Sequence, residues 1–88
     1  MRRTKLEIIN DLLLAIQERG GTIRPTHLMY RGNLSNKLLH EYIEELSQKG
    51  MIEKTETGTG FVVKLLDQGY KFLEQYKKMK EFQETFGL

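Results

Sequence analysis

The apolar positions of the first twenty residues follow a helical rhythm. Leu6, Ile9, Leu13 and Ile16 recur at intervals of three, four and three, which puts them on one helical face. Ile8, Leu12 and Ala15 widen that face, so a helix over 4–19 is predicted at the centre of the core. Gly20-Gly21 ends it. Thr22-Ile23 is long enough only for a stub of strand. Pro25 suits the first turn of a helix, where the N–H it lacks would be unpaired anyway. A short helix over 25–31 is expected, with Leu28 and Met29 inward and Gly32-Asn33 as its break.

The next helix has a marked start. Ser35 is a favoured N-cap residue, and Leu34 and Leu39 flank it in the spacing of a hydrophobic staple. Leu39, Tyr42, Ile43 and Leu46 form its inward stripe, and Gly50 closes it. Residues 51–55 and 61–65 read as strands. Two glycines in the intervening Glu56-Thr57-Gly58-Thr59-Gly60 signal a hairpin. Asp67 is placed to cap a last helix over 68–85.

A short helix, a tight turn, a longer helix and then a hairpin is the order of a winged helix-turn-helix. The fold class expected is mainly α with a small β-hairpin (α+β). A winged-helix domain would span 1–66, and a C-terminal dimerisation helix 67–88.

Composition narrows the choice of function. The chain has 88 residues, enough for one core. A domain this small buries only about 60–65% of its unfolded surface and usually needs disulfides, a metal or a partner copy. There is no cysteine, and His27 and His40 are too few for a histidine-built metal site. A homodimer is therefore expected, with no metal and no cofactor. Apolar runs are too short for a membrane span. Glu7 and Asp11 interrupt the segment after the basic N-terminus, so no signal peptide is expected and the cytoplasm is the default location. Ser35 and Ser47 sit where helix structure explains them, and no glycine-rich phosphate loop is present. An enzyme is not expected.

The formal charge of +2 conceals an asymmetry. Residues 19–40 contain no acid and carry +4; residues 1–5 carry +3; the remainder carries −5. The acid-free stretch covers the short helix, the turn and the front of the long helix, the part a helix-turn-helix presents to DNA. Cations, hydroxyls and amides there suit phosphate contact. Asn36, Lys37 and His40 are expected in the major groove. Arg24, Thr26, His27, Arg31 and Ser35 are expected at the backbone. Arg2 and Arg3 reach it from the start of the first helix, and Thr57 and Thr59 from the hairpin tip. Glu41, Glu44 and Glu45 are contrary, since they repel phosphate. Glu41 is either a reader of cytosine or a repulsive element.

Five of the eight aromatic residues lie after position 69. Phe72, Tyr76, Met79, Phe82 and Phe86 recur along the last helix, whose far half outruns its own domain. They are the expected dimer interface, in an antiparallel pairing of two such helices.

Several of these residues form familiar strings. Thr26, Leu28-Met29-Tyr30, Asn33-Leu34-Ser35 and the run Leu39-x-x-Tyr42-x-x-x-Leu46-x-x-x-Gly50-Met51-Ile52 resemble an archaeal winged-helix family, as does Gly69-Tyr70-Lys71-Phe72-Leu73. The resemblance covers about residues 5–80. It departs at Gly32, where alanine is usual, and at Leu66, where threonine is usual. It implies kinship with predicted archaeal transcription regulators. It also implies kinship with ten-kilodalton archaeal chromatin proteins that dimerise through an antiparallel coiled coil of the last helix. The function expected is that of a dimeric transcription regulator on double-stranded DNA. A sequence-tolerant chromatin protein and a winged-helix protein-interaction module are the alternatives.

Overall fold

Helix α1 (Lys5–Glu18) begins on a reciprocal cap. Thr4 Oγ1 accepts from the Glu7 amide at 3.1 Å, and the Glu7 carboxylate accepts from the Thr4 amide at 2.9 Å. Two amides that no helical carbonyl can reach are thereby satisfied. The signature Thr-x-x-Glu stands at positions 4–7. Thr4→Ala is expected to cost about 1 kcal/mol, read as a fall in the thermal midpoint of roughly 4–8 °C. An unchanged midpoint would mean the cap is idle in solution.

The computed structural model describes residues 2–88. After α1 come β1 (Thr22–Ile23), α2 (Pro25–Gly32), α3 (Asn36–Gln48), β2 (Ile52–Thr57), β3 (Gly60–Leu65) and α4 (Asp67–Phe86). α1 buries Ile9, Leu12, Leu13, Ala15 and Ile16. Leu6 was expected on that face but is half exposed. At about 100° per residue it lies at the rim of the buried arc, which is centred between Leu12 and Ile16.

α2 starts at Pro25 and ends on Asn33, which takes the left-handed conformation (φ 52°). Gly32 is buried where α2 meets α1. A Cβ there would stand 2.6 Å from Leu12 Cδ2. The glycine lets the two helices approach. Ser35 caps α3 as expected, accepting from the Leu38 amide at 3.1 Å. Leu39, Tyr42, Ile43 and Leu46 turn inward.

The three strands form one antiparallel sheet in the order β1-β3-β2. β1 pairs with β3 only at Thr22↔Lys64 and Ile23↔Val63. β2 pairs with β3 from Ile52↔Leu65 to Thr57↔Gly60. The hairpin strands therefore run further than the sequence predicts, leaving only Gly58-Thr59 as the turn.

α4 starts one residue earlier than expected. Leu66 is its N-cap and has no side-chain oxygen to offer. Asp67 is not the cap but the first helical residue, where its charge favours the positive helix end. Backbone anchoring replaces the missing cap. The Leu66 amide donates to the Met51 carbonyl at 2.9 Å, and Gly69 packs against that carbonyl and Leu65. Leu73 enters the core. α4 then returns along α1, and Asn10, Leu14 and Gln17 face Leu73, Tyr76 and Lys80 across a groove. Its twenty residues, about 30 Å long, give the molecule extents of 49 × 28 × 22 Å.

Candidate nucleic-acid interface

Three elements converge on one surface. Thr26 and Met29 of α2, Asn36 and His40 of α3 and Phe61 of β3 line one groove. Arg24, Thr26, Thr57, Thr59 and Phe61 line the next. The grooves share Pro25, Thr26 and Phe61, so they are continuous. Of the predicted DNA contacts, Arg24, Thr26, Asn36, His40, Thr57 and Thr59 are thus brought together. Lys37, one residue after Asn36, is exposed on α3. α2 has no side-chain cap and Pro25 has no N–H, so the Thr26 and His27 amides are the ones open to an acceptor.

The hairpin is braced against α3. The His40 and Phe61 rings stand 6.4 Å apart, tilted at 59°. Lys54 Nζ lies 5.5 Å from the Phe61 ring centroid and pairs with Glu44 at 3.1 Å. Neither Phe61 nor Lys54 belongs to a motif that marks it as a site residue in the sequence. Strand alternation carries the signal for Phe61, since Phe61, Val63 and Leu65 share one face. Lys54 carries no signal, because its partner is ten residues away on another element.

The acids of α3 are largely neutralised. Glu44 pairs with Lys54. Glu45 takes Lys5 at 2.8 Å and Lys49 at 3.0 Å. The hydrogen bond from Lys5, then that from Lys49, holds the Glu45 carboxyl below the usual carboxylate range. The same contact raises the Lys5 ammonium. Among the described residues Glu41 has no ion-pair partner.

Other predicted contacts lie elsewhere. Arg3 binds Asp11 and the Gly32 carbonyl, each at 2.6 Å, and so ties the segment before α1 to the end of α2. Arg31 pairs with Glu18, and His27 Nδ1 lies 3.1 Å from Arg19 Nη2. His27 and Arg31 line a separate hollow with Tyr30. Ser35 faces solvent, with its hydroxyl engaged as a cap. Arg2 is exposed.

Along α4 the aromatic series divides. Phe72 and Tyr76 stack at 5.9 Å and are partly buried on their own domain. Phe82 and Phe86 contact each other at 4.8 Å and remain 57% and 64% exposed; Met79 is 40% exposed. No helix among the described residues is long and apolar enough to cross a membrane.

The sequence pattern of the winged helix-turn-helix family matches residues 2–84. The chain belongs to that family. Solved structures agree on the fold of this winged helix-turn-helix chain. Sso10a-2, a DNA-binding protein from Sulfolobus solfataricus, superposes with a TM-score of 0.82 at 14% identity, over 96% of this chain and 85% of that one. F93 from STIV, a winged-helix DNA-binding protein, gives 0.76 at 17% identity, over 93% and 92%. A mutant MarR from E. coli complexed with operator DNA gives 0.72 at 23% identity, over 86% of this chain and 58% of that one. No curated protein matches the sequence.

Proposed function

We propose that the chain binds double-stranded DNA as a homodimer and regulates transcription. The observation that carries this reading is the single surface on which the start of α2, the first turns of α3 and the hairpin tip meet. Such a surface fits a duplex, with α3 in the major groove and the hairpin along the flanking backbone. Asn36, Lys37 and His40 face base edges. Arg24, Thr26 and the open amides of α2 hold phosphates, and Thr57 and Thr59 add contacts at the tip. Arg3 and Arg31 contribute less, because each must leave a carboxylate to reach a phosphate. The neutralised Glu44 and Glu45 lower the repulsion that the sequence alone suggests. Nothing in this reading requires catalysis or a cofactor. Sso10a-2 and F93 are DNA-binding proteins and the MarR mutant is complexed with operator DNA, which supports the DNA-binding part of the reading.

The dimer follows from the far half of α4. Met79, Phe82 and Phe86 are left largely uncovered by their own domain, and a second copy of α4 would bury them. Two copies would then present two α3 helices to half-sites one turn apart.

Fluorescence anisotropy with a labelled duplex tests the reading. Log affinity should fall with log salt at a slope of about −0.9 per neutralised phosphate. Replacing Arg24, which holds a phosphate, with alanine should flatten the slope by roughly 1 and weaken binding evenly across sequences, whereas replacing Lys37 should relax base preference. Binding no tighter than millimolar at about 50 mM salt would overturn the assignment. Equal affinity for unrelated duplexes would instead mark a sequence-tolerant chromatin protein.

A further inference from the structure

The three acids of α3 are not equivalent. Lys5, Lys49 and Lys54 approach this helix from α1, its own C-terminus and the hairpin, and all three ammonium groups go to Glu44 or Glu45. Glu41 shares a shallow groove with Lys5 and Glu45, yet Lys5 chooses Glu45. The Glu41 carboxylate is left exposed and, among the described residues, without a cation.

Its position on the helix is equally distinct. Taking about 100° per residue, the buried stripe of Leu39, Tyr42, Ile43 and Leu46 points one way, and Lys37 and Glu41 point nearly opposite. They are four residues apart, hence roughly 6 Å along the axis. An exposed donor is followed by an exposed acceptor on the line of α3 that is farthest from the core. A phosphate contact would leave a carboxylate there unfavourable. A major-groove edge offers it a partner, because the cytosine amino donor stands there without the N7 acceptor that adenine sets beside its own amino group and that would repel a carboxylate.

We propose that Glu41 is a specificity-determining residue that accepts a hydrogen bond from the 4-amino group of a cytosine, beside Lys37 donating to a guanine edge. This rests on the DNA-binding reading above. It predicts a site containing one cytosine whose identity depends on Glu41. The carboxylate also lowers non-specific affinity, since elsewhere on the duplex it meets only negative charge.

Duplexes selected by the full-length protein from a random pool supply the test, followed by anisotropy on single-base variants. Glu41→Ala should lose the preference for one cytosine by roughly 5- to 150-fold and leave the other positions unchanged. Deleting only the 4-amino group of that cytosine should cost the wild-type protein a similar factor and cost Glu41→Ala nothing. Unchanged base preferences in Glu41→Ala, with wild-type binding intact, overturn the proposal alone. So does a uniform rise in affinity for every duplex, which would reduce Glu41 to a repulsive charge. Absence of duplex binding by the wild-type protein overturns the parent reading together with this one.

Discussion

Gly69→Ala is expected to lower stability by about 2–3 kcal/mol, the upper range for forcing an extra carbon into a packed site. A Cβ at this position would lie 2.5 Å from the Met51 carbonyl oxygen and also collide with the Leu65 side chain. Leu65 can rotate, but the carbonyl cannot easily retreat. It already accepts the Leu66 amide that anchors the start of α4. Small domains are stable by only about 0.05–0.15 kcal/mol per residue, so the loss is a large share of the whole. Urea denaturation measures it as a lower midpoint at an unchanged slope. Gly58→Ala is the control, because no atom lies within 4 Å of a Cβ added there. Equal midpoints for both variants would show that α4 is not rooted at Met51.

The second large effect concerns assembly. Replacing Phe82 and Phe86 together with glutamate should leave the fold intact, because both side chains are exposed on the single chain. It should also abolish the dimer, since four carboxylates would meet in the paired region. Sedimentation should then report a monomer where the wild-type protein sediments as a dimer. Affinity for a duplex with two half-sites should fall by roughly 10²–10⁴, the range expected when linked binding is abolished. Affinity for a single half-site should not change. A dimer that survives both substitutions places its interface elsewhere.

The helices were legible because each signal is local. The Ser35 cap, Pro25 and the stripe Leu39–Tyr42–Ile43–Leu46 act within a few residues of themselves, and the observed elements follow them. The hairpin was legible from its two glycines, though its pairing continues to Thr57↔Gly60 because nothing breaks the extended backbone earlier. The start of α4 was misread because Leu66 relies on a carbonyl fifteen residues upstream rather than on a side chain. The interface was legible in part. Charge patterning drew attention to residues 19–40, but periodicity does not tell which cation will find a carboxylate. Arg3, Arg31 and Lys54 meet theirs on neighbouring elements, at Asp11, Glu18 and Glu44. Those pairings sort the candidates, and only the fold supplies them.

The two-residue strand β1 has a consequence for how the hairpin moves. It grips β3 at Val63 and Lys64 and reaches no further toward the tip. Phe61 and Lys54 add a brace against α3 just beyond that grip. Past the brace, Thr55 pairs with Val62, Glu56 with Phe61 and Thr57 with Gly60 inside the hairpin, and residues 55–60 are all exposed. The hairpin is therefore a lever with its fulcrum beside α3. Its free end can swing without loosening the core, because opening free energy varies along a structure with local packing. On the proposed DNA-binding reading, bending at that fulcrum would let the tip follow grooves of different width while α3 keeps its register.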